Sequence, residues 1–134
     1  MTERPIILVV DDDPDLRAVL CEALGADGYD VIPAADGAEA LTWLRLGFRP
    51  RLILLDLLMP VMDGWRFRES LGADPALAAI PVILISTEDN ARREPIDVAM
   101  LLRKPLALGE LRAMVARFCE LAPQQNVAPD ANPG

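Results

Sequence analysis

Five short apolar runs, separated by stretches with helical periodicity, constrain the fold of this chain more than any other feature of its sequence. The runs are Ile6–Val10, Val31–Ile32 with its flanks, Leu52–Leu55, Val82–Ile85 and Val98–Leu102. Four of them are nearly continuous in Val, Ile, Leu or Met, which is typical of parallel strands buried on both faces. The second run is short and contains Pro33, which indicates a strand at the edge of the sheet.

Helix signals occupy the segments between these runs. Asp13 before Pro14 predicts an N-cap followed by proline at the first helical position, and this helix should end at Gly25 or Gly28. Further helices are predicted from near Gly37 to Leu46, from Asp63–Gly64 to before Asp74–Pro75, and from Ala107 to Leu121. Because strand and helix alternate, the predicted class is α/β with a doubly wound parallel sheet.

Composition limits the classes of function. The chain has 134 residues, enough for one domain, and its formal net charge of −8 argues against direct binding to nucleic acid. No apolar run approaches the ~20 residues of a membrane span, and the N-terminus lacks the pattern of a signal peptide. We therefore expect a cytoplasmic protein that contacts neither nucleic acid nor membrane directly.

The cysteine and histidine content limits the chemistry of the chain, and the composition of the C-terminal segment indicates where the domain ends. Cys21 and Cys119 lie in apolar helical patterns and are expected to be small buried hydrophobic residues in a reducing compartment. The absence of histidine excludes a phosphohistidine or His-ligated zinc within this chain. Residues 1–121 are expected to form the domain, and residues 122–134 a disordered tail without an apolar pattern.

Polar residues follow the apolar runs at the points where the strands should end. Asp11 and Asp12 follow the first run, Asp56 the third, Ser86 the fourth, and Lys104 the fifth. Because parallel strands align their carboxyl ends along one edge of the sheet, these side chains should converge on one crevice.

The chemistry of this set indicates phosphoryl transfer to a carboxylate. Three carboxylates brought together repel one another, and a hard divalent ion such as Mg²⁺ resolves that repulsion. Lys104 offers three donors to a phosphoryl oxygen, and Ser86 adds a hydroxyl. Each residue alone also has an ordinary interpretation. Asp11–Asp13 resembles a helix start, Asp56 a strand-end turn residue, Ser86 a helix cap and Lys104 a solvated loop charge.

At these residues the sequence resembles the receiver domains of two-component response regulators. The matching stretches are residues 7–14 (ILVVDDDP), 52–64 (LILLDLLMPVMDG), 81–86 (PVILIS) and 103–106 (RKPL). The resemblance covers about residues 5–121 and implies a flavodoxin-like sheet with the strand order 2-1-3-4-5.

The resemblance also implies roles for individual residues. Asp56 would be the phosphoacceptor, and the cofactor would be Mg²⁺, with Asp12, Asp56 and the backbone carbonyl of Leu58 as direct ligands and Asp11 acting through water. Lys104 would contact the phosphoryl group, and Pro105 would follow a cis peptide bond. Ser86 would be the hydroxyl that moves toward phosphorylated Asp56. The phosphodonor would be a histidine kinase or a histidine phosphotransfer protein, and the downstream partner another protein.

Two features depart from the family pattern. Receivers commonly carry Tyr or Phe three positions before the lysine, where this chain has Leu101. The segment between Ser86 and Lys104 is shorter than usual and contains Pro95, which predicts a short or irregular fourth helix and an unusual signalling surface. In receivers, the side chains two residues past the phosphoacceptor and two past the switch hydroxyl affect how easily water attacks the aspartyl phosphate. The corresponding residues in this chain are Leu58 and Glu88.

Two other functions compete with phosphorylation. An aspartate-nucleophile phosphohydrolase usually has a second Asp two residues after the nucleophile, and Leu58 in that position argues against an enzyme. A receiver-like adaptor that works without phosphorylation agrees with Leu101 and the altered crossover, whereas the retained acidic, serine and lysine residues argue against it. Since no further domain follows Leu121 in this sequence, we expect a single-domain regulator or an excised receiver.

Overall fold

Each of the five apolar runs forms a strand in the computed structural model, which describes residues 4–86 and 96–121. The strands are β1 (Ile6–Val10), β2 (Asp30–Ala34), β3 (Leu52–Asp56), β4 (Val82–Ser86) and β5 (Met100–Arg103). The helices are α1 (Pro14–Ala26), α2 (Gly37–Arg45), α3 (Gly64–Gly72), α4 (Pro75–Ala78) and α5 (Leu108–Leu121). β5 starts two residues later than predicted, and the four-residue α4 was not predicted.

The five strands form one parallel sheet with the order β2-β1-β3-β4-β5. This confirms the predicted doubly wound class, the strand order 2-1-3-4-5 and the edge position of β2. The register keeps the strand ends level, because Val10 lies opposite both Ala34 and Leu55, and Ser86 lies opposite Arg103. The residues at the carboxyl ends of β1, β3, β4 and β5 therefore meet at one edge.

Two hydrophobic cores explain why three of the strands are apolar up to their last residue. Every residue of β1, β3 and β4 is buried, and alternate side chains point to opposite faces of the sheet. One core packs the sheet against α2, α3 and α4 around Phe67, and the other packs it against α1 and α5 around Leu20 and Leu111. Since burying one such side chain contributes about 1.5–3 kcal/mol, these two layers hold the strand ends in place.

Aspartate side chains cap the N-termini of α1, α2, α3 and α4. Asp13 accepts hydrogen bonds from the backbone N–H groups of Asp15 and Leu16 at 3.0 and 3.3 Å. The side chains of Asp36, Asp63 and Asp74 cap α2, α3 and α4 in the same way. Each cap contributes about 1 kcal/mol. Within the Asp11–Asp13 triplet, the helix-start interpretation thus applies to Asp13.

The structure tests the predictions for the two cysteines and for a membrane span, whereas other predictions concern residues that it does not describe. Cys119 is buried as predicted, whereas Cys21 is only half-buried, and both are free thiols. Among the helices in the described ranges, none combines the length and apolar character that spanning a bilayer requires. The expected short or irregular fourth helix, Glu88 and the expected disordered tail belong to residues 87–95 and 122–134, which lie outside the described residues.

Gly64 and Gly109 differ in the space around them, so replacing each with alanine should change the free energy of unfolding in opposite directions. A Cβ on Gly64 would lie 2.7 Å from the Asp56 carbonyl oxygen and 2.9 Å from Leu57 Cα, both backbone atoms, whereas a Cβ on Gly109 would meet nothing within 4 Å. Gly64→Ala should lower the free energy of unfolding by about 2 kcal/mol. Gly109→Ala should raise it by about 0.5 kcal/mol, because alanine favours the helix. Urea denaturation measures both, and equal changes would contradict the packing described.

Candidate functional site

The carboxyl ends of β1, β3, β4 and β5 bring the predicted polar residues together. Carboxylate oxygens of Asp11, Asp12 and Asp56 lie within 4.8 Å of one another. The Lys104 Nζ atom lies 3.5 Å from Asp56 Oδ1 and 3.7 Å from Asp11 Oδ2. Ser86 ends β4 beside them, and its carbonyl oxygen accepts a hydrogen bond from the Lys104 backbone N–H at 3.0 Å. Three carboxylates and one ammonium group therefore share this crevice.

Burial differs among the acidic residues of the crevice. Asp11 is 3% exposed and Asp56 6% exposed, whereas Asp12 is exposed to solvent. Asp11 is held by its backbone N–H, which donates to the Ala34 carbonyl at 3.1 Å, and by its Oδ1 atom, which accepts from the Asp13 N–H at 2.9 Å. The sheet thus presents two buried carboxylates beneath one that solvent reaches.

Burial changes the acidity of the two enclosed carboxyl groups. The pKa of Asp56 is raised to about 6, mainly by desolvation and then by the charge of Asp11, with Lys104 acting in the opposite direction. The pKa of Asp11 is also raised, mainly by burial. Within the described part of the chain, one lysine faces three carboxylates, a donor set and a charge excess that suit a divalent cation with oxygen ligands.

Ser86 carries an unsatisfied polar atom. Its residue is fully buried, and within the described ranges its Oγ atom has no hydrogen-bond partner. Buried hydroxyl groups are normally hydrogen-bonded in folded proteins, so this exception requires an explanation. Ile85, the residue before Ser86, lies opposite Asp56 in the sheet, so this unsatisfied donor sits near the strand end that carries Asp56.

The loop between β3 and α3 forms the rim of the crevice. Leu57 is buried, but the side chains of Leu58 and Val61 are 41% and 80% exposed. Val61 has φ 66°, and the Met62 N–H donates to the Pro60 carbonyl at 2.7 Å across it. A β-branched residue with positive φ is strained, and no sequence pattern indicated it. Leu58, whose backbone carbonyl the family resemblance implies as a cation ligand, thus lies on this rim.

The segment after β5 agrees with the sequence analysis at two points. The Lys104–Pro105 peptide bond is cis, as predicted. Leu101, which stands where the family commonly has an aromatic residue, is 37% exposed. Its aliphatic side chain lacks the planar ring on which an aromatic rotamer change depends.

Comparisons with known proteins agree with this geometry. The family model for the response regulator receiver domain matches residues 7–116. The DNA-binding response regulator MtrA of Mycolicibacterium smegmatis is 38% identical over 99 residues, which cover 74% of this chain and 40% of that protein. The chain therefore spans less than half the length of this curated relative.

Solved structures of high similarity are receiver domains. The receiver domain of a signal transduction histidine kinase from Syntrophus aciditrophicus has a TM-score of 0.80 and 30% identity, covering 92% of this chain and 98% of its own. The receiver domain of the sensor histidine kinase PA1611 from Pseudomonas aeruginosa PAO1 has a TM-score of 0.78 and 26% identity, covering 88% and 99%. That structure holds a magnesium ion in its active-site cleft. The chain belongs to the family of response regulator receiver domains.

The raised pKa of Asp56 predicts how stability depends on pH without added metal. The carboxyl keeps its proton up to about pH 6 in the folded protein but loses it near 3.8 when unfolded. The stabilisation from the retained proton is therefore complete below the unfolded pKa and is lost as pH rises through the folded one. In Mg²⁺-free buffer, Asp56→Asn should raise the free energy of unfolding by roughly 2 kcal/mol at pH 8 and by much less at pH 4.

The matched control for this prediction is Asp15→Asn. Asp15 is exposed in the first turn of α1, where a negative charge is favourable. Its replacement should lower the free energy of unfolding slightly at pH 8, by up to about 0.5 kcal/mol. An equal effect of Asp56→Asn at both pH values, measured by urea denaturation, would show that burial does not perturb this carboxyl.

Proposed function

We propose that this chain is a phosphoacceptor receiver, spanning residues 1–121, that takes a phosphoryl group on Asp56 in a Mg²⁺-dependent way. The observation that carries the proposal is the position of the Asp56 carboxylate. It lies within 4.8 Å of the Asp11 and Asp12 carboxylates and 3.5 Å from the Lys104 ammonium group. A buried carboxylate between a cation-binding pair and a lysine is equipped to act as a nucleophile toward phosphorus.

Asp56, Lys104 and Ser86 have different roles in the proposed phosphoryl transfer. A carboxylate oxygen of Asp56 attacks the phosphorus of a phosphohistidine, the bond from oxygen to phosphorus forms, and the bond from phosphorus to the imidazole nitrogen breaks. The leaving imidazole takes a proton from solvent. Lys104 binds a phosphoryl oxygen with its ammonium group, and the free hydroxyl of Ser86 donates to another. The signal is the resulting change at this edge of the sheet.

The site residues also account for the need for a cation. Asp12, Asp56 and the Leu58 carbonyl would hold Mg²⁺ directly, with Asp11 acting through a water molecule. When bound, Mg²⁺ neutralises the carboxylate repulsion and the charge on the phosphoryl oxygens. Asp56 must be unprotonated to attack, and its pKa of about 6 in the bare crevice means that a nearby positive charge favours the reactive form.

The partners follow from this chemistry. A phosphohistidine donor is a histidine kinase or a histidine phosphotransfer protein, and the receiver domains of two histidine kinases share this fold. The downstream partner is proposed to be a protein. MtrA is a DNA-binding response regulator, and this chain matches 40% of it. The net charge of −8 disfavours contact between these residues and the phosphate backbone of DNA. We therefore assign these residues a signalling role, without direct DNA binding or turnover of a substrate.

A second candidate is a receiver-like adaptor that acts without phosphorylation. Leu101 favours it, because the aromatic residue that commonly relays the phosphorylated state is absent at this position. Uptake of phosphate separates the two functions, since an adaptor has no need of a reactive Asp56.

Intact mass after incubation with acetyl phosphate tests the proposal directly. The protein should gain one phosphoryl group with Mg²⁺ and none with a chelator, and Asp56→Asn should gain none under either condition. The amide that this substitution introduces lacks the anionic oxygen that attacks phosphorus. No mass gain in the wild-type protein would reject the phosphoacceptor function and favour the adaptor.

Leu58 provides a prediction about the lifetime of the phosphorylated state. Its side chain lies at the rim, 41% exposed and two residues from Asp56, where it limits the approach of water. Leu58→Asn should accelerate hydrolysis of the aspartyl phosphate by about threefold or more, equivalent to roughly 0.7 kcal/mol in the barrier. The decay of the phosphorylated mass species after removal of acetyl phosphate gives this rate.

Leu46→Asn is the matched control for this measurement. Leu46 is 58% exposed and lies at the C-terminal end of α2, away from the crevice. Its replacement should leave the rate of hydrolysis unchanged. Equal lifetimes of the wild-type and Leu58→Asn proteins would remove Leu58 from the control of water access.

A further inference from the structure

Arg17, in the first turns of α1, forms hydrogen bonds with the residues before and after Asp12. Its backbone N–H donates to the Asp13 carbonyl at 3.0 Å as part of the helix. Its side chain turns back, and the Nη1 atom donates to the Asp11 carbonyl at 2.7 Å. The second bond is short and charge-assisted, in a partly buried setting, which places it among the stronger hydrogen bonds.

These bonds restrain the backbone of an exposed acidic residue. The Asp11 carbonyl belongs to the peptide unit that precedes Asp12, and the Asp13 N–H belongs to the unit that follows it. The first is bound by the Arg17 guanidinium group, and the second donates to Asp11 Oδ1 at 2.9 Å. Asp12 itself is exposed, so packing contributes little to its position. The direction of its carboxylate depends on how firmly these two peptide units are held.

We propose that Arg17 is a positioning residue for the divalent-cation site, acting through the backbone that carries Asp12. This inference rests on the proposed Mg²⁺-dependent function and adds a residue to it. Groups that orient metal ligands without touching the metal typically change metal affinity about 10- to 100-fold when they are removed. Since Arg17 acts through the backbone, a loss of about tenfold is expected, at the low end of that range.

The positive charge of Arg17 gives a way to distinguish a positioning role from a purely electrostatic one. A guanidinium group near a cation site repels the cation, so an arginine that acted only through its charge would weaken Mg²⁺ binding. Removing it would then tighten binding, whereas removing a positioning residue loosens binding. The two roles therefore predict changes of opposite sign.

The test is the Mg²⁺ dissociation constant, measured by calorimetry with Mg²⁺ alone on the full chain. Arg17→Ala should bind Mg²⁺ about tenfold more weakly than the wild-type protein. Arg17→Lys, which keeps the charge and a shorter donor, should show intermediate affinity. Arg112→Ala is the matched control, because Arg112 pairs with Asp27 at the far end of α1. It should leave the dissociation constant unchanged.

The outcomes separate this inference from the proposed function. Circular dichroism first establishes that each protein is folded at the temperature of the titration, and Arg17→Lys serves if Arg17→Ala does not fold. Wild-type protein that binds no Mg²⁺ would overturn both the proposed function and the role of Arg17. Wild-type protein that binds Mg²⁺, with unchanged or tighter binding in both Arg17 variants, would overturn the role of Arg17 alone.

Discussion

The repulsion among the carboxylates of Asp11, Asp12 and Asp56 is the interaction around which this structure is arranged. Two of these carboxylates are buried, and Lys104 offsets only part of their charge. Such a cluster is unfavourable without a cation, and a flexible chain would separate the charges. The sheet prevents this because the strands that carry Asp11 and Asp56 are neighbours in register, buried on both faces. The energy of two hydrophobic cores thus maintains an arrangement that is poised for a cation and an anionic ligand.

Most of the fold could be predicted because its signals are local. Strands β1, β3 and β4 are buried at every residue, and apart from Asp56 and Ser86 at the ends of β3 and β4 their side chains are all apolar. β5 is harder to delimit, since among its four residues only Leu102 is buried, and the apolar Val98 lies before the strand. The helix α4 was missed because Asp74–Pro75 was interpreted only as the end of α3. The same pair also caps a new helical turn.

The positions of the site residues could be predicted because parallel topology decides which strand ends meet. Their chemical roles required the family resemblance and remain proposals. Other features had no sequence signal. The contact between Arg17 and the Asp11 carbonyl joins a side chain to a backbone atom six residues earlier, which no residue pattern specifies. The positive φ of Val61 is equally hidden, because valine is a residue that sequence rules exclude from that conformation.

Two glycines allow the loop that follows β3 to be anchored at both ends. At one end, Gly64 lies so close to β3 that its N–H donates to the Leu57 carbonyl at 2.8 Å. At the other, the Met62 carbonyl accepts the Gly37 N–H at 3.1 Å, and the Met62 side chain fills the space beside that glycine. The loop is therefore anchored to both α3 and α2, and residues 58–61 lie between the two anchors. Whatever binds in the crevice therefore meets a rim that is tied down at both ends and that presents the apolar side chains of Leu58 and Val61 to solvent.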